Sequence, residues 1–332
     1  MNAWAFKKYK QEIELIELPE PVVKANDVLI KVHAVGLNHV DEKVRKGEFK
    51  AFMSLPLPYV LGHDLSGEIV SIGSGVKNFK VGDIVYSRPS TMDGGTLVQF
   101  KVVDESEVAL IPQNISPVEA AALPLVSLTA WQALVEVGNI QEGNKVLIHG
   151  GAGGVGIVAI QIAKYLGAFV ATTVNKDNVE FAKSLGADLV IDYTTQEFED
   201  LVNDYDLVLE TVGGSNLMKS FQVLKKDGLV VCITGPADTA FAQEIGARKP
   251  IKLIISLLSR KVLKQAQKNG VKYRFLMMRP EGRQLQQIAK IIEAGKLKPM
   301  PVQIFPFNET KKAFTALASG SFRRGKVVVK IQ

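Results

Sequence analysis

The pattern of apolar and polar positions changes character once along the chain. From the start to about residue 123, apolar runs of strand length stand between glycines and prolines. Residues 28–35, 66–73, 81–85 and 97–103 read as strands, with Gly73 and Gly75 turning the second and Gly94-Gly95 opening the fourth. A short helix is predicted over 40–46, stopped by Gly47, and Pro56, Pro58 and Gly62 mark a loop. Many short strands separated by glycines predict a small barrel or sandwich. The rhythm then switches. Ser116, Pro117 and Glu119 have the order of an N-cap, a first-turn proline and a capping-box acid. From there strands and helices alternate. Strands are predicted at 145–149, 169–174, 189–192, 207–211, 228–234 and 273–278, and helices at 179–185, 217–224 and 282–294. Six strands in this rhythm predict an α/β domain with a doubly wound parallel sheet. Residues 241–268 are too long for a plain crossover and read as one helix or two. Past Pro299 the pattern returns to β, with strands at 302–305 and 326–331 around a helix at 309–317. This tail is expected to rejoin the first domain. The domains are therefore set at 1–122 with 299–332, and 123–298.

One stretch of the second domain carries chemistry. The apolar run Val146-Leu147-Ile148-His149 leads straight into Gly150-Gly151-Ala152-Gly153-Gly154-Val155-Gly156, and an apolar run with helical spacing follows to Leu166. Strand, tight turn and helix are the parts of a dinucleotide-binding unit, with Gly151, Gly153 and Gly156 in G-x-G-x-x-G. Gly151 is assigned the turn, Gly153 the close approach of backbone to a pyrophosphate, and Gly156 close packing of helix on strand. The helix start supplies free N–H groups and a positive dipole end for the anion. A second strand over 169–174, after Gly167-Ala168, completes the unit.

Composition narrows the classes. The net charge of +6 is modest for 332 residues. Lysine and arginine thicken over residues 248–272, read as a solvated face with an anion-attracting surface as the alternative. Nothing resembles a nucleic-acid module. The single cysteine, Cys232, excludes an internal disulfide and a cysteine-based zinc site, and its apolar surroundings read as a buried strand. Residues 1–10 contain no signal-peptide core, and no apolar run reaches membrane-spanning length. A soluble cytoplasmic protein with no nucleic-acid or membrane partner is expected.

These residues resemble the medium-chain dehydrogenase/reductase superfamily, in its zinc-independent quinone oxidoreductase branch. The resemblance covers nearly the whole chain. It rests on the glycine turn with Gln161 and Lys164, on Gly36-Leu37-Asn38, Gly82-Asp83, Leu185-Gly186-Ala187-Asp188 and Gly325-Lys326-Val327-Val328. Ile191-Asp192-Tyr193 and the Gly-Gly-Ala-Gly-Gly-Val-Gly turn point to the 2-alkenal and enone reductases. The resemblance implies a GroES-like β-barrel domain beside a Rossmann domain, and a homodimer. Zinc-dependent relatives carry a cysteine where Asn38 stands and a histidine near His63. His39, His63, Asp41 and Asp64 are oxygen and nitrogen donors that a metal could use. Asn38 is usual in the zinc-free branch, so no metal is expected. His33 and His149 are assigned structural roles.

Without a Lewis acid to polarise an alcohol, hydride delivery to the β-carbon of an enone, or to a quinone, is the favoured chemistry. A zinc alcohol dehydrogenase and a cofactor-binding protein with little turnover are the alternatives. The nicotinamide is expected in a cleft between the domains, walled by Thr129, Thr234, Gly235 and Lys326 by resemblance. Loops around residues 49–59, 92–95 and 241–272 are expected to shape the acceptor pocket. The second strand ends Thr172-Thr173-Val174-Asn175-Lys176, with no acid where NAD-specific sheets place one. Thr173, Asn175 and Lys176 are assigned to the cofactor, Lys176 to the 2′-phosphate with the Tyr193 hydroxyl. NADPH is the expected cofactor, with Asp177 the residue that would instead favour NAD. The segment Asn38-His39-Val40-Asp41-Glu42-Lys43 resembles the enone-reductase pattern Asn-Pro-Val-Asp-x-Lys, with His39 in place of the proline. Lys43 is assigned as the donor to the developing enolate oxygen, with Asn38 and Tyr59 as further candidates.

Overall fold

The computed structural model describes residues 1–50, 55–320 and 324–331. The chain forms two compact units, Met1–Leu128 with Arg279–Gln332, and Thr129–Met278.

The spine of the first unit is the ten-residue strand Asp27–Gly36. Val28, Ile30, Val32 and Ala34 alternate into its core at 0% exposure, the period-2 signature of a strand with one buried face. Leu65–Ile72 pairs antiparallel along one edge. Along the other edge, Phe100–Asp104 takes the first half and Lys326–Lys330 the last three residues. Lys326–Lys330 also pairs parallel with Val302–Pro306, so the tail closes on this unit as its pattern predicted. Val328 lies opposite Gly36, and the Leu37 amide donates to Val327 O at 2.9 Å. Two residues further along the same register, Lys326 comes level with Asn38.

A smaller sheet of Glu14–Glu17, Asn2–Phe6 and Tyr59–Val60 stands beside it among the described residues. The sequence pattern had not marked these strands. Asn2–Phe6 buries four consecutive residues, which leaves no alternation to read. The predicted helix runs His39–Lys46 and ends at Gly47, whose φ of +78° suits glycine. The capping box at Ser116 forms, with Ser116 N on the Glu119 carboxylate at 2.8 Å and Glu119 N on Ser116 Oγ at 3.3 Å.

The unit boundaries fall at 128/129 and 278/279, whereas the sequence pattern set them at 122/123 and 298/299. The helix Gly282–Glu293 is the reason for the second of these shifts. It lies so close to the 106–108 backbone that a Cβ at Gly282 would sit 2.3 Å from Val108 O and 2.7 Å from Ser106 O. The Tyr86 hydroxyl donates to Leu285 O at 2.7 Å, and Asn114 donates to Ile292 O at 3.1 Å. An amphipathic helix cannot declare from its own sequence which sheet it covers.

The second unit holds a parallel sheet in the order Leu189–Asp192, Phe169–Val174, Lys145–His149, Tyr205–Glu210, Leu224–Cys232, Lys272–Phe275. This is the doubly wound order, with the chain reversing direction across the sheet at Lys145–His149. Val146, Leu147 and Ile148 are wholly buried, as expected where both faces of a sheet are covered. Cys232 is buried at a strand end. Residues 241–268 resolve into two helices, Thr239–Glu244 and Lys249–Lys268.

Candidate active site

Two clusters carry the chemistry, one in each unit. In the second unit the strand Lys145–His149 turns through Gly150, at φ +69°, into the helix Gly154–Tyr165. The left-handed position thus belongs to Gly150, one residue before the Gly151 assigned to the turn. Gly151 has a packing role: a Cβ there would lie 2.2 Å from Thr172 Oγ1. Gly156 packs the helix on the turn, where a Cβ would lie 2.2 Å from Gly150 O. Gly153 differs from both. Its added Cβ would meet only Gly150 O, at 3.3 Å, and the residue is exposed. The first intrahelical bond is donated by Ile157 to Gly153 O at 2.9 Å. The amides of Gly154, Val155 and Gly156 therefore stand at the open helix end. An accessible Gly153 backbone beside those amides fits a pyrophosphate.

Thr173 supports this turn from beneath. Its Oγ1 lies 3.0 Å from His149 Nδ1 and accepts from Gly150 N at 3.3 Å, and its carbonyl accepts from Gly151 N at 3.1 Å. His149 Nε2 lies 3.1 Å from Ser220 Oγ, and Glu210 accepts from the amides of Val212 and Gly213 at 2.7 and 2.8 Å. Burial pushes His149 down to about 4, so its ring is neutral near pH 7. This buried network was not read from the sequence, because its members lie on four separate segments.

At the end of the second strand, Asn175 accepts from Asn178 Nδ2 at 2.6 Å. Lys176 and Tyr193 are exposed, and Tyr193 N donates to Val174 O at 3.0 Å, which keeps the two side chains at one sheet end. Thr234 and Gly235 follow the strand Leu224–Cys232, where Gly235 N donates to Cys232 Sγ at 3.0 Å. Thr129 is buried on the helix Pro124–Trp131.

The first unit holds a buried polar cluster. Asn38 is the N-cap of His39–Lys46. Its backbone N–H donates to Asp41 Oδ2 at 2.6 Å, so the helix start is held by Asp41. The Asn38 side chain turns away from the helix. Its Nδ2 donates to Asp64 Oδ2 at 2.9 Å and to Gly36 O at 3.2 Å, while Oδ1 accepts from Lys326 Nζ. Lys326 also donates to Asp64 Oδ2 at 3.1 Å. The Leu125 amide donates to Asp64 Oδ1 at 2.8 Å. Asp64 is fully buried, and Asn38 and Lys326 are each 6% exposed. A buried carboxylate is thus matched by one ammonium and two neutral donors.

His63 belongs to an adjoining arm. Its Nδ1 lies 2.5 Å from Asp41 Oδ1, which also accepts from Gly62 N at 3.1 Å. Among the described residues, His63 Nε2 is buried without a hydrogen-bond partner. Lys43 is half-buried on the same helix. Desolvation, then the Lys326 and Lys43 ammoniums, hold His39 below the usual histidine range, which places Lys43 in the field of this cluster. Tyr59 is buried, with its hydroxyl donating to Thr91 O at 2.8 Å, and burial raises its pKa far above the usual range. The structure therefore brings Asn38 and Lys326 together and directs Tyr59 elsewhere. The partnership of Lys326 with Asn38 and Asp64 had no local signal, since it spans 288 and 262 positions. Of the expected pocket loops, residues 51–54 lie outside the described residues.

Comparison with known proteins decides the family. The tomato (Solanum lycopersicum) 2-methylene-furan-3-one reductase is 37% identical, over 99% of this chain and 79% of its own length. The chain belongs to the medium-chain dehydrogenase/reductase superfamily. Its superfamily domains are matched in turn: the alcohol dehydrogenase GroES-like domain over residues 24–113 and the zinc-binding dehydrogenase family over 185–329. Residues 121–216 match the alanine dehydrogenase/PNT C-terminal domain. The chloroplastic NADPH-dependent alkenal/one oxidoreductase of Arabidopsis thaliana is 36% identical over 99% of this chain and 79% of its own. Among solved structures, the quinone oxidoreductase from Coxiella burnetii superposes with a TM-score of 0.84 at 30% identity, over 100% of this chain and 99% of that one. The first unit is the superfamily's GroES-like domain and the second its Rossmann domain. The protein is an NAD(P)H-dependent oxidoreductase of this superfamily.

Proposed function

We propose that the protein transfers hydride from NADPH, without zinc, to the activated C=C bond of α,β-unsaturated carbonyl compounds or to quinones. The observation that carries this reading is the Lys326 ammonium held by Asn38 and Asp64. Zinc-dependent relatives have a metal-binding cysteine at the Asn38 position. Here that position is an amide, and a lysine already supplies the cation that Asp64 requires. Such a donor set neutralises buried charge but leaves no cluster of metal-seeking groups. No group of three His, Cys, Asp or Glu suited to a metal occurs among the described residues.

The dinucleotide, when bound, supplies the hydride at its nicotinamide ring. The chain's residues then divide the work. Gly153 and the amides of Gly154, Val155 and Gly156 hold the pyrophosphate. Thr173 holds the turn and not the ligand. Lys176 and Tyr193, both exposed at the end of the second strand, receive the 2′-phosphate, and the absence of an acid at residues 172–176 favours NADPH over NADH. Lys43 donates to the carbonyl oxygen as negative charge gathers there on hydride addition to the β-carbon. Asp41 holds the start of the Lys43 helix, and Asn38 and Lys326 hold Asp64 and each other beside it.

One observation favours a second reading, a zinc alcohol dehydrogenase. His63 has one ring nitrogen fixed by Asp41 and the other buried without a partner among the described residues, the arrangement of a histidine oriented toward a metal. Turnover of NADPH and NADH with a panel of 2-alkenals, enones and quinones separates the readings, with zinc measured on the same preparation. Preferential NADPH oxidation by zinc-free protein supports the proposal. Stoichiometric zinc required for turnover overturns it, as does tight NADPH binding with no oxidation on any acceptor.

A further inference from the structure

The helix Lys249–Lys268 is built unlike the others in its unit. It buries a narrow stripe, Ile255, Ser259, Val262 and Ala266, spaced by four, three and four residues. On the solvent side of its first half, Leu253, Ile254, Leu257 and Leu258 are 52–65% exposed. Leu253 and Leu257, and likewise Ile254 and Leu258, stand one turn apart and form a continuous aliphatic patch. The same outward side of the second half carries Arg260, Lys261, Lys264 and Lys268, all exposed. Arg248, Lys249, Lys252 and Lys272 are exposed around it.

The charge of this region is one-signed. Residues 245–280 contain ten lysines and arginines and no aspartate or glutamate. The whole chain carries only +6, so the remainder is net negative. Arg274 is paired with Asp238 and Glu244. The eight cations named above take part in no ion pair among the described residues.

We infer that this helix lies in the surface of an anionic lipid bilayer, with Leu253, Ile254, Leu257 and Leu258 below the headgroups and the flanking cations against them. An amphipathic helix with large aliphatics on one side and a lysine-rich margin binds interfaces without spanning them. No helix among the described residues is long and apolar enough to cross a membrane, so the sequence expectation of no membrane partner, which rests on spans, does not reach this mode of contact. A second copy of the chain is the poorer occupant. Two such helices packed together would face cation with cation, and the segment has no acid to compensate. A bilayer supplies both the apolar depth and the opposite charge. The inference stands apart from the choice of acceptor proposed above.

The 332-residue chain is sedimented with vesicles of phosphatidylcholine alone and with roughly one third phosphatidylglycerol. The variants Leu253→Gln/Leu257→Gln/Leu258→Gln and Lys252→Glu/Lys261→Glu/Lys264→Glu are carried alongside. Circular dichroism and the thermal midpoint show that each variant is folded, since glutamine and glutamate keep helix propensity. The wild type is expected to bind the anionic vesicles and not the neutral ones, with binding weakened by salt. Each variant is expected to lose about tenfold or more in partitioning. No sedimentation with anionic vesicles overturns the inference, as does a leucine variant that binds like wild type. A wild type whose leucine variant alone shifts from dimer to monomer, with no vesicle binding by either, assigns the patch to a second copy instead.

Discussion

Lys326 shows how much one side chain settles in this protein. Its ammonium is the cation beside the buried Asp64 carboxylate, and Asn38 joins the two. Lys326→Met strands a negative charge in the interior and is expected to destabilise the fold by about 3–5 kcal/mol. The double variant Lys326→Met/Asp64→Asn, which removes both charges, recovers part of that loss. Urea unfolding of the two proteins measures the difference, and equal losses would mean the charges are not coupled. Lys43 is the separate case of a side chain expected to act in the reaction. Removing a donor to a developing oxyanion costs about 3 kcal/mol, a fall in kcat of about a hundredfold. Steady-state kinetics of Lys43→Ala and Lys43→Met with one good enone check this. Values of kcat and KM within about threefold of wild type would remove Lys43 from the mechanism.

At the scale of elements, the glycine turn makes a sharper claim than its motif. Gly156→Ala forces a Cβ to 2.2 Å from Gly150 O, whereas Gly153→Ala leaves the nearest contact at 3.3 Å. Gly156→Ala is expected to lower the thermal midpoint and cofactor binding together. Gly153→Ala keeps the midpoint within a degree or so of wild type and loses about tenfold or more in NADPH affinity, because its methyl stands where the pyrophosphate approaches. Calorimetry and fluorescence titration separate the two effects, and matching behaviour of both variants would contradict the division of roles. The strand, turn and helix of this unit were legible because each is local: the apolar run, the glycines and the 3.6-residue spacing lie within about twenty residues. The register that carries Lys326 to Asn38 was not legible, since pairing partners far apart in sequence leave no periodic mark. Likewise the helix Gly282–Glu293 announced its apolar face but not the 106–108 backbone it covers. Gly150 took the positive φ that the motif suggested for Gly151, because a fingerprint fixes spacing more tightly than dihedral angles.

At the scale of the whole molecule, stability and chemistry meet in the buried network of the Rossmann unit. His149 is held neutral, its value pushed by burial to about 4 from 6.5 in an exposed chain. The unfolded chain therefore takes up the proton first. The stability that this neutral ring contributes is fully present above about pH 6.5 and is lost as pH falls toward about 4, by about 3 kcal/mol in all. Thr173, Ser220 and Glu210 face the ring, with Glu210 3.9 Å away. Burial raises Glu210, which opposes the trend by favouring its protonated form in the folded state. The difference in unfolding free energy between wild type and His149→Gln, followed from pH 7 to pH 4, isolates the histidine. A difference that stays flat across that range would contradict its buried neutral state.

The reaction itself is tested most directly by the fate of the transferred hydrogen. Chelator-treated protein is given NADPH deuterated at the transferring C4 position and an α,β-unsaturated ketone, and the product is read by NMR. The proposed chemistry predicts a saturated ketone with deuterium on the β-carbon and a rate unchanged by chelator. Deuterium on the carbonyl carbon of an alcohol product, or activity that chelator abolishes and zinc restores, would contradict it.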